Sequence, residues 1–121
     1  MEFNEKMPIY LQIVNAIKND IVIENIKGGD KLPSVREMAE KFRVNPNTIQ
    51  RVYQELEREE ITFTQRGMGT FITQDNNKIE EIKWSVAKEL IESFIKGMRD
   101  IGYSTLQISD CINEYIKKEE L

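Results

Sequence analysis

The 121-residue chain contains no histidine and a single cysteine, Cys111, and both scarcities exclude whole classes of function. Histidine-dependent acid–base chemistry and nucleophile–histidine pairs are impossible within this chain. Zinc sites built from cysteine and histidine are also excluded, so we expect no catalytic residue, no metal and no cofactor. Because one thiol cannot form a disulfide within the chain, we expect a cytoplasmic location.

Long apolar runs are missing as well. No stretch approaches the roughly 18 residues of a membrane span, and Met1 to Tyr10 lacks the apolar core of a signal peptide. We therefore expect no membrane partner. The chain is net acidic, with 17 basic and 21 acidic side chains, which argues mildly against indiscriminate coating of nucleic acids.

Helical periodicity and capping signals predict three helices in the first half of the chain. Apolar residues at helical spacing predict a first helix from about Pro8 to Asn25. Ser34 has a glutamate three residues later, which is the capping-box pattern and predicts a second helix starting there. Asn45 suits an N-cap and is followed by proline, so a third helix is expected from about 46 to 59. Two capped helices joined by a short turn outline a helix-turn-helix.

The period then changes from helix to strand. Alternating apolar and polar residues at 61–64 and 70–73 flank a glycine-containing turn, which predicts a β-hairpin. A polar break after 75 sets the predicted domain boundary. A long helix over about 78–100 and a last helix capped by Ser104 and Gln107 are expected beyond it. The predicted fold class is mainly α with a small β-hairpin (α+β). A winged helix-turn-helix domain (1–75) precedes a two-helix C-terminal dimerisation appendage (76–121).

The third helix has one face suited to reading DNA. On a helical wheel its apolar residues share one side, and the other side carries amides and an arginine, namely Asn47, Gln50, Arg51 and Gln54. Amide side chains bind adenine bidentately, and arginine binds guanine or phosphate. The backbone amides that begin the helix are further candidates for phosphate binding. The alternative is an ordinary solvated face, although such faces more often carry glutamate and lysine.

Charge placement supports the first reading. Basic residues dominate over 33–51, whereas four glutamates occupy the far end of the third helix. This polarity suits a helix that enters DNA by its N-terminal end. The hairpin tip adds Arg66 and would form a wing that reaches a phosphate or the minor groove. A plain tight turn is the alternative explanation for Gly67 and Gly69.

Several motifs together resemble those of the GntR family of bacterial transcription regulators. They are the opening Pro-Ile-Tyr-Leu-Gln-Ile (8–13), Leu-Pro-Ser-Val-Arg-Glu-Met-Ala (32–39), Val-Asn-Pro-Asn-Thr-Ile (44–49) and Gly-Met-Gly-Thr-Phe-Ile (67–72). The Asn-Pro-Asn-Thr form and the short tail are similar to the YtrA subfamily. The resemblance implies a winged helix-turn-helix that binds operator DNA as a homodimer.

The resemblance also implies roles for particular positions. Arg36 matches a family arginine that contacts DNA, Thr48 a threonine placed on phosphate, and the two glycines the wing tip. Gln50 departs from the pattern, because many members have arginine there, so base preference is not transferable. The complete set of predicted DNA-binding residues is Ser34, Arg36, Arg43, Asn45, Asn47, Thr48, Gln50, Arg51, Gln54, Arg66, Gly67 and Gly69.

The tail is too short to enclose a metabolite, yet its long helix has two apolar stripes. One partner helix cannot cover both, so we expect a second subunit to complete the core. The alternative is docking back onto the winged domain, and a small apolar inducer between the tail helices is left open. The predicted dimer-interface residues are Trp84, Ile91, Phe94, Ile95, Met98, Ile108, Ile112 and Tyr115.

These patterns favour a sequence-specific DNA-binding transcription regulator, expected to be a homodimeric repressor of an inverted-repeat operator. The alternative is a winged-helix module that binds protein without reading DNA sequence. An enzyme is the least favoured class, because the chain offers neither histidine nor a glycine-rich phosphate loop.

Overall fold

A computed structural model describes residues 1–119, and within them it places five helices and one two-stranded antiparallel sheet. This arrangement confirms the predicted fold class. The elements in chain order are α1 (Ile9–Val22), α2 (Val35–Phe42), α3 (Pro46–Arg58), β1 (Thr62–Gln65), β2 (Gly69–Ile72), α4 (Asn76–Asp100) and α5 (Thr105–Glu119).

The packing divides the chain into two compact units, and the division falls inside α4. The first unit is Met1–Trp84, and the second begins at Ser85. The start of α4 belongs to the first unit because Ile82 is buried in its core and Ile79 packs against that core. The predicted boundary between 75 and 76 thus coincides with the start of α4, whereas the packing changes within the helix.

The core of the first unit lies where α1 and α2 pack against α3. Its helical members recur at three- and four-residue spacing, which confirms the amphipathic pattern expected from the sequence. Ile61, directly before β1, and Ile72 of β2 close the core from the side of the sheet. The buried apolar set is Ile13, Val14, Ile17, Ile21, Leu32, Met38, Ala39, Ile49, Val52, Leu56, Ile61, Ile72 and Ile82.

The predicted starts of α2 and α5 are confirmed by hydrogen bonds at their caps. The Ser34 hydroxyl accepts from the Glu37 amide at 3.1 Å, and the Glu37 carboxylate accepts from the Ser34 amide at 3.1 Å. Ser104 and Gln107 form the same reciprocal pair at the start of α5. These bonds satisfy backbone donors that have no partner within the helix.

Three helices end on a left-handed residue that is not glycine. Glu24, Arg43 and Glu60 have φ of 64°, 56° and 62°. At the end of α3, the Glu60 amide donates to the Glu57 carbonyl, and the following amide donates to the Leu56 carbonyl. This is the Schellman pattern, whose left-handed position glycine occupies without steric cost. No glycine occupies the left-handed position at these three helix ends.

We expect Glu60→Gly to raise the free energy of unfolding by about 0.5–1 kcal/mol, because glycine removes the left-handed penalty. Urea unfolding at one fixed protein concentration measures the change. The control is Gln54→Gly, an exposed position in the interior of the same helix, which should lose about 1 kcal/mol. Equal destabilisation by both changes would contradict the strain assigned to Glu60.

A third segment of the chain pairs with the β-hairpin, and no sequence pattern predicted this pairing. The β1–β2 register pairs Phe63 with Phe71, whose rings stack with centroids 5.8 Å apart. The segment before α2 lies along β2, where the Leu32 amide donates to the Thr70 carbonyl at 2.8 Å. A bridge between Lys31 and Phe71 completes the pairing. The wing is therefore attached to the segment that leads into the helix-turn-helix.

Candidate DNA-binding surface

The outward face of α3 is the one expected from the sequence. Ile49, Val52 and Leu56 are completely buried, and Tyr53 is half-buried. The exposed residues of α3 include Asn47, Gln50, Arg51 and Gln54, whereas Thr48 is half-buried. The predicted amide and arginine side chains therefore occur together on one solvent-facing surface of a helix that the core holds in place.

The backbone amides at the start of α3 are already occupied, contrary to the expectation that they bind phosphate. The Asn45 side chain accepts from the Asn47 amide at 2.8 Å, and the Asn45 carbonyl accepts from the Thr48 amide at 2.9 Å. Pro46 has no amide proton to donate. The reason is that Asn45 acts as the cap of this helix, so its side-chain oxygen has a structural role.

Tyr53 ties α3 to the segment that precedes α2. Its hydroxyl donates to the Pro33 carbonyl at 2.6 Å. Burial raises the pKa of this hydroxyl well above its usual range, and the nearby Glu37 carboxylate raises it further, so the donor proton is retained. This bond fixes α3 relative to the start of α2, where Ser34 and Arg36 are exposed. Arg43, also exposed, occupies the turn between the two helices.

The acidic end of α3 is held by ion pairs. Arg58 donates to both carboxylate oxygens of Glu55, and these bonds lower the pKa of Glu55 to about 2. Lys18 of α1 donates to Glu59 at 2.9 Å in a partly buried pair. The predicted polarity of α3 is thus present, with its exposed arginine and amides toward the start and its carboxylates toward the end.

The wing tip exposes Arg66, Gly67 and Met68. The Met68 amide donates to the Gln65 carbonyl at 2.9 Å, and Gly67 has a φ of 78°, as the third position of a type II turn requires. Gly69 has a φ of 123°, and a Cβ there would lie 2.7 Å from Cε of Lys31. The sequence did not single out Lys31, whose side chain the structure places against the wing.

We expect the two wing glycines to respond differently to asparagine. Gly67→Asn should cost about 1 kcal/mol or less, because asparagine tolerates this turn position and the space around it is empty. Gly69→Asn should cost about 1–3 kcal/mol, because its φ is unfavourable and a side chain displaces Lys31. Urea unfolding of both variants tests this, and equal costs would contradict the distinction.

The exposed arginine of α3 contacts α1 as well. The Cζ atom of Arg51 lies 3.8 Å from the ring centroid of Tyr10. Tyr10 lies in the opening motif of the sequence (8–13), and no sequence pattern assigns it a role in DNA binding. The contact depends on how α1 packs against α3, which no local sequence pattern reports.

Within residues 1–119, no three His, Cys, Asp or Glu side chains group as metal ligands. No helix over the same range is long and apolar enough to cross a membrane.

The sequence model of the "Bacterial regulatory proteins, gntR family" matches residues 9–72, which cover α1 to β2. This chain belongs to the GntR family. Two relatives from Bacillus subtilis (strain 168) share nearly its whole length. The HTH-type transcriptional regulator YhcF is 43% identical over 94% of both chains. The HTH-type transcriptional repressor YtrA is 39% identical over 92% of this chain and 83% of its own.

Solved structures agree with the fold. A GntR family transcriptional regulator from Listeria monocytogenes is 45% identical and superposes with a TM-score of 0.81, covering 93% of this chain and 98% of that one. The AraR DNA-binding domain in complex with operator ORR3 is 25% identical with a TM-score of 0.54, covering 60% of this chain and 88% of that one. The chain is therefore a GntR-family transcriptional regulator with a winged-helix DNA-binding domain.

The second unit of this GntR regulator exposes many apolar side chains. Ile91, Phe94 and Tyr115 are 47%, 46% and 62% exposed, and Ile112 is 36% exposed. Ile95 and Met98 are half-buried. Other exposed apolar residues of this unit, which were not among the predicted interface residues, are Leu90, Ile101, Tyr103, Leu106 and Ile116.

The other two predicted interface residues differ from these. Ile108 is only 4% exposed, so it is buried within the chain itself. Trp84 is 61% exposed and lies in α4 at the end of the first unit.

Proposed function

We propose that this GntR regulator is a homodimeric transcriptional repressor that reads an inverted-repeat operator with α3. The observation that carries the proposal is the exposed face of α3, where Gln50, Arg51 and Gln54 lie over a buried core. These side chains offer the hydrogen-bond donors and acceptors that base edges in the major groove recognise. Action on chromosomal DNA also implies a cytoplasmic location.

Phosphate contacts are expected from residues around that face. Arg36 lies in the first turn of α2, Arg43 in the turn after it, and Arg66 at the wing tip, and all three are exposed. Ser34 accepts a hydrogen bond in its cap and still has a hydroxyl proton to donate. Residues 1–74 hold 10 basic and 11 acidic side chains, so binding depends on the placement of charge rather than on its excess. Such contacts weaken steeply as salt rises.

Dimerisation is supported by the apolar surface of the second unit. Monomeric proteins rarely expose contiguous apolar patches of more than a few hundred square ångströms. A second copy would cover Ile91, Phe94 and their neighbours, and two-fold symmetry would present two α3 helices to two inverted half-sites. Residues 75–121 hold 7 basic and 10 acidic side chains, which suits a segment held away from phosphates.

Repression is supported by the relative YtrA, which is described as a transcriptional repressor. A bound regulator represses when its operator overlaps the promoter, and reporter transcription with and without the protein tests the sign of regulation. A small-molecule inducer stays a prediction.

Selection from a random pool of DNA duplexes tests sequence-specific reading. We expect the pool to converge on an inverted repeat. Fluorescence anisotropy should then show that the enriched duplex binds at least about 10³-fold more tightly than a scrambled duplex at physiological salt. A pool that fails to converge, or equal affinity for both duplexes, would favour the protein-binding alternative.

A further inference from the structure

The contact between Arg51 and Tyr10 is not explained by the core or by the helix caps. Arg51 is exposed on the reading face of α3, whereas Tyr10 is half-buried and packs against the core. The distance of 3.8 Å between Cζ and the ring centroid is well within the range of a cation–π pair. A ring held by the core thus supports a cation that would otherwise project unsupported into solvent.

Helix packing fixes the position of this ring. Further along, Lys18 of α1 donates to Glu59, the residue directly after α3, at 2.9 Å. The two contacts are separated by the same number of residues along both segments, from 10 to 18 and from 51 to 59. The helices therefore run side by side in the same direction, and Tyr10 stays opposite Arg51.

Contact with an aromatic face leaves the hydrogen-bonding capacity of Arg51 unused. A guanidinium carries its five N–H donors in its plane, whereas the ring engages the face. Within residues 1–119, no hydrogen bond or ion pair involves the Arg51 guanidinium, in contrast to Arg58, which donates to Glu55. The donors of Arg51 are therefore available to a ligand at the surface of α3.

We propose that Tyr10 is a positioning residue for base reading, whose ring holds Arg51 in its DNA-binding conformation before DNA arrives. An exposed arginine loses rotamer freedom when it binds, and fixing it beforehand reduces that loss. This inference rests on the proposed function, because Arg51 must contact the operator. It adds a specificity determinant on α1, outside the helix-turn-helix.

The test is a double-mutant cycle measured by anisotropy against the enriched duplex and a scrambled duplex. Tyr10→Leu should weaken binding to the enriched duplex about 5- to 10-fold, which is within the range of cation–π pairs. Tyr10→Phe keeps the ring and should restore affinity to within about 2-fold. In an Arg51→Ala background, Tyr10→Leu should change affinity by less than about 2-fold, because the two residues act as one unit.

A second readout reports the contact itself. In the free protein, the Arg51 side-chain N–H resonance should be shifted by the ring current of Tyr10, and Tyr10→Leu should abolish that shift. The shift should persist in the complex with the enriched duplex. Its disappearance on DNA binding would overturn the proposal, because Arg51 would then leave the ring in order to bind.

The remaining outcomes separate this proposal from the one on which it rests. If Tyr10→Leu weakens binding equally with and without Arg51, the tyrosine acts through the fold and the inference fails. If the wild type prefers the enriched duplex but Tyr10→Leu binds it normally, only the inference fails. If the wild type shows no preference between the duplexes, the proposed function fails with it.

Discussion

Phe94→Glu is expected to make the protein monomeric at micromolar concentration and to lower operator affinity by about 10²- to 10³-fold. Phe94 is 46% exposed in the second unit, among other apolar side chains that include Ile91 and Ile95. A carboxylate buried there without a partner costs several kcal/mol, which is enough to prevent association. A monomer then binds one half-site at a time and loses the gain of about 10²- to 10⁴-fold that a linked second site gives.

Size-exclusion chromatography with light scattering measures the mass, and anisotropy measures the affinity. The matched control is Ser85→Glu, which adds the same charge at an exposed position of α4 on the side of the helix opposite the apolar face. The control should remain dimeric and should bind the operator normally. A Phe94→Glu protein that stays dimeric, or a wild type that is already monomeric, would contradict the proposed interface.

Gln50→Ala and Arg51→Ala are each expected to weaken operator binding by about 1–3 kcal/mol and to relax specificity at one base pair. Both side chains are exposed on α3, above core residues that neither substitution disturbs. Arg66→Ala should behave differently, because a phosphate contact at the wing weakens binding to all sequences alike.

Affinities for the enriched duplex, for single-base variants and for a scrambled duplex separate these effects. Glu57→Ala is the control on the same helix, since Glu57 is exposed at its acidic end and should not contact DNA. Unchanged affinity for the enriched duplex in both Gln50→Ala and Arg51→Ala would exclude α3 as the reading helix. An equal loss on the scrambled duplex would assign these residues to phosphate instead.

Local signals made most helix starts predictable. The capping box formed by Ser34 and Glu37 and the N-cap formed by Asn45 before a proline each span four residues or fewer. Both predicted helix starts are confirmed. α4 begins at Asn76, slightly before the predicted start near 78, because the Asp75 side chain accepts from the Asn77 amide at 3.0 Å. The exposed face of α3 was predictable because helical periodicity depends only on residue spacing.

The features that the sequence did not reveal depend on distant contacts. The pairing of Leu32 with Thr70 joins segments nearly forty residues apart. The residues just before Leu32 include Gly28 and Gly29, whose composition predicts a turn rather than a paired segment. The placement of Tyr10 beneath Arg51 requires the packing of two helices. Ile108 shared the spacing of the apolar tail residues, so periodicity did not distinguish the inside of the tail from its surface.

The left-handed residues Glu24 and Glu60 lower the free energy of unfolding relative to a chain with glycine at these helix ends. These residues cap different helices, so the gains from Glu24→Gly and Glu60→Gly should add to about 1–2 kcal/mol. A doubly substituted protein would tolerate binding-surface changes that bring the natural chain close to its unfolding threshold. It is therefore a suitable background for a saturation screen of α3, in which loss of binding reports lost recognition rather than lost folding.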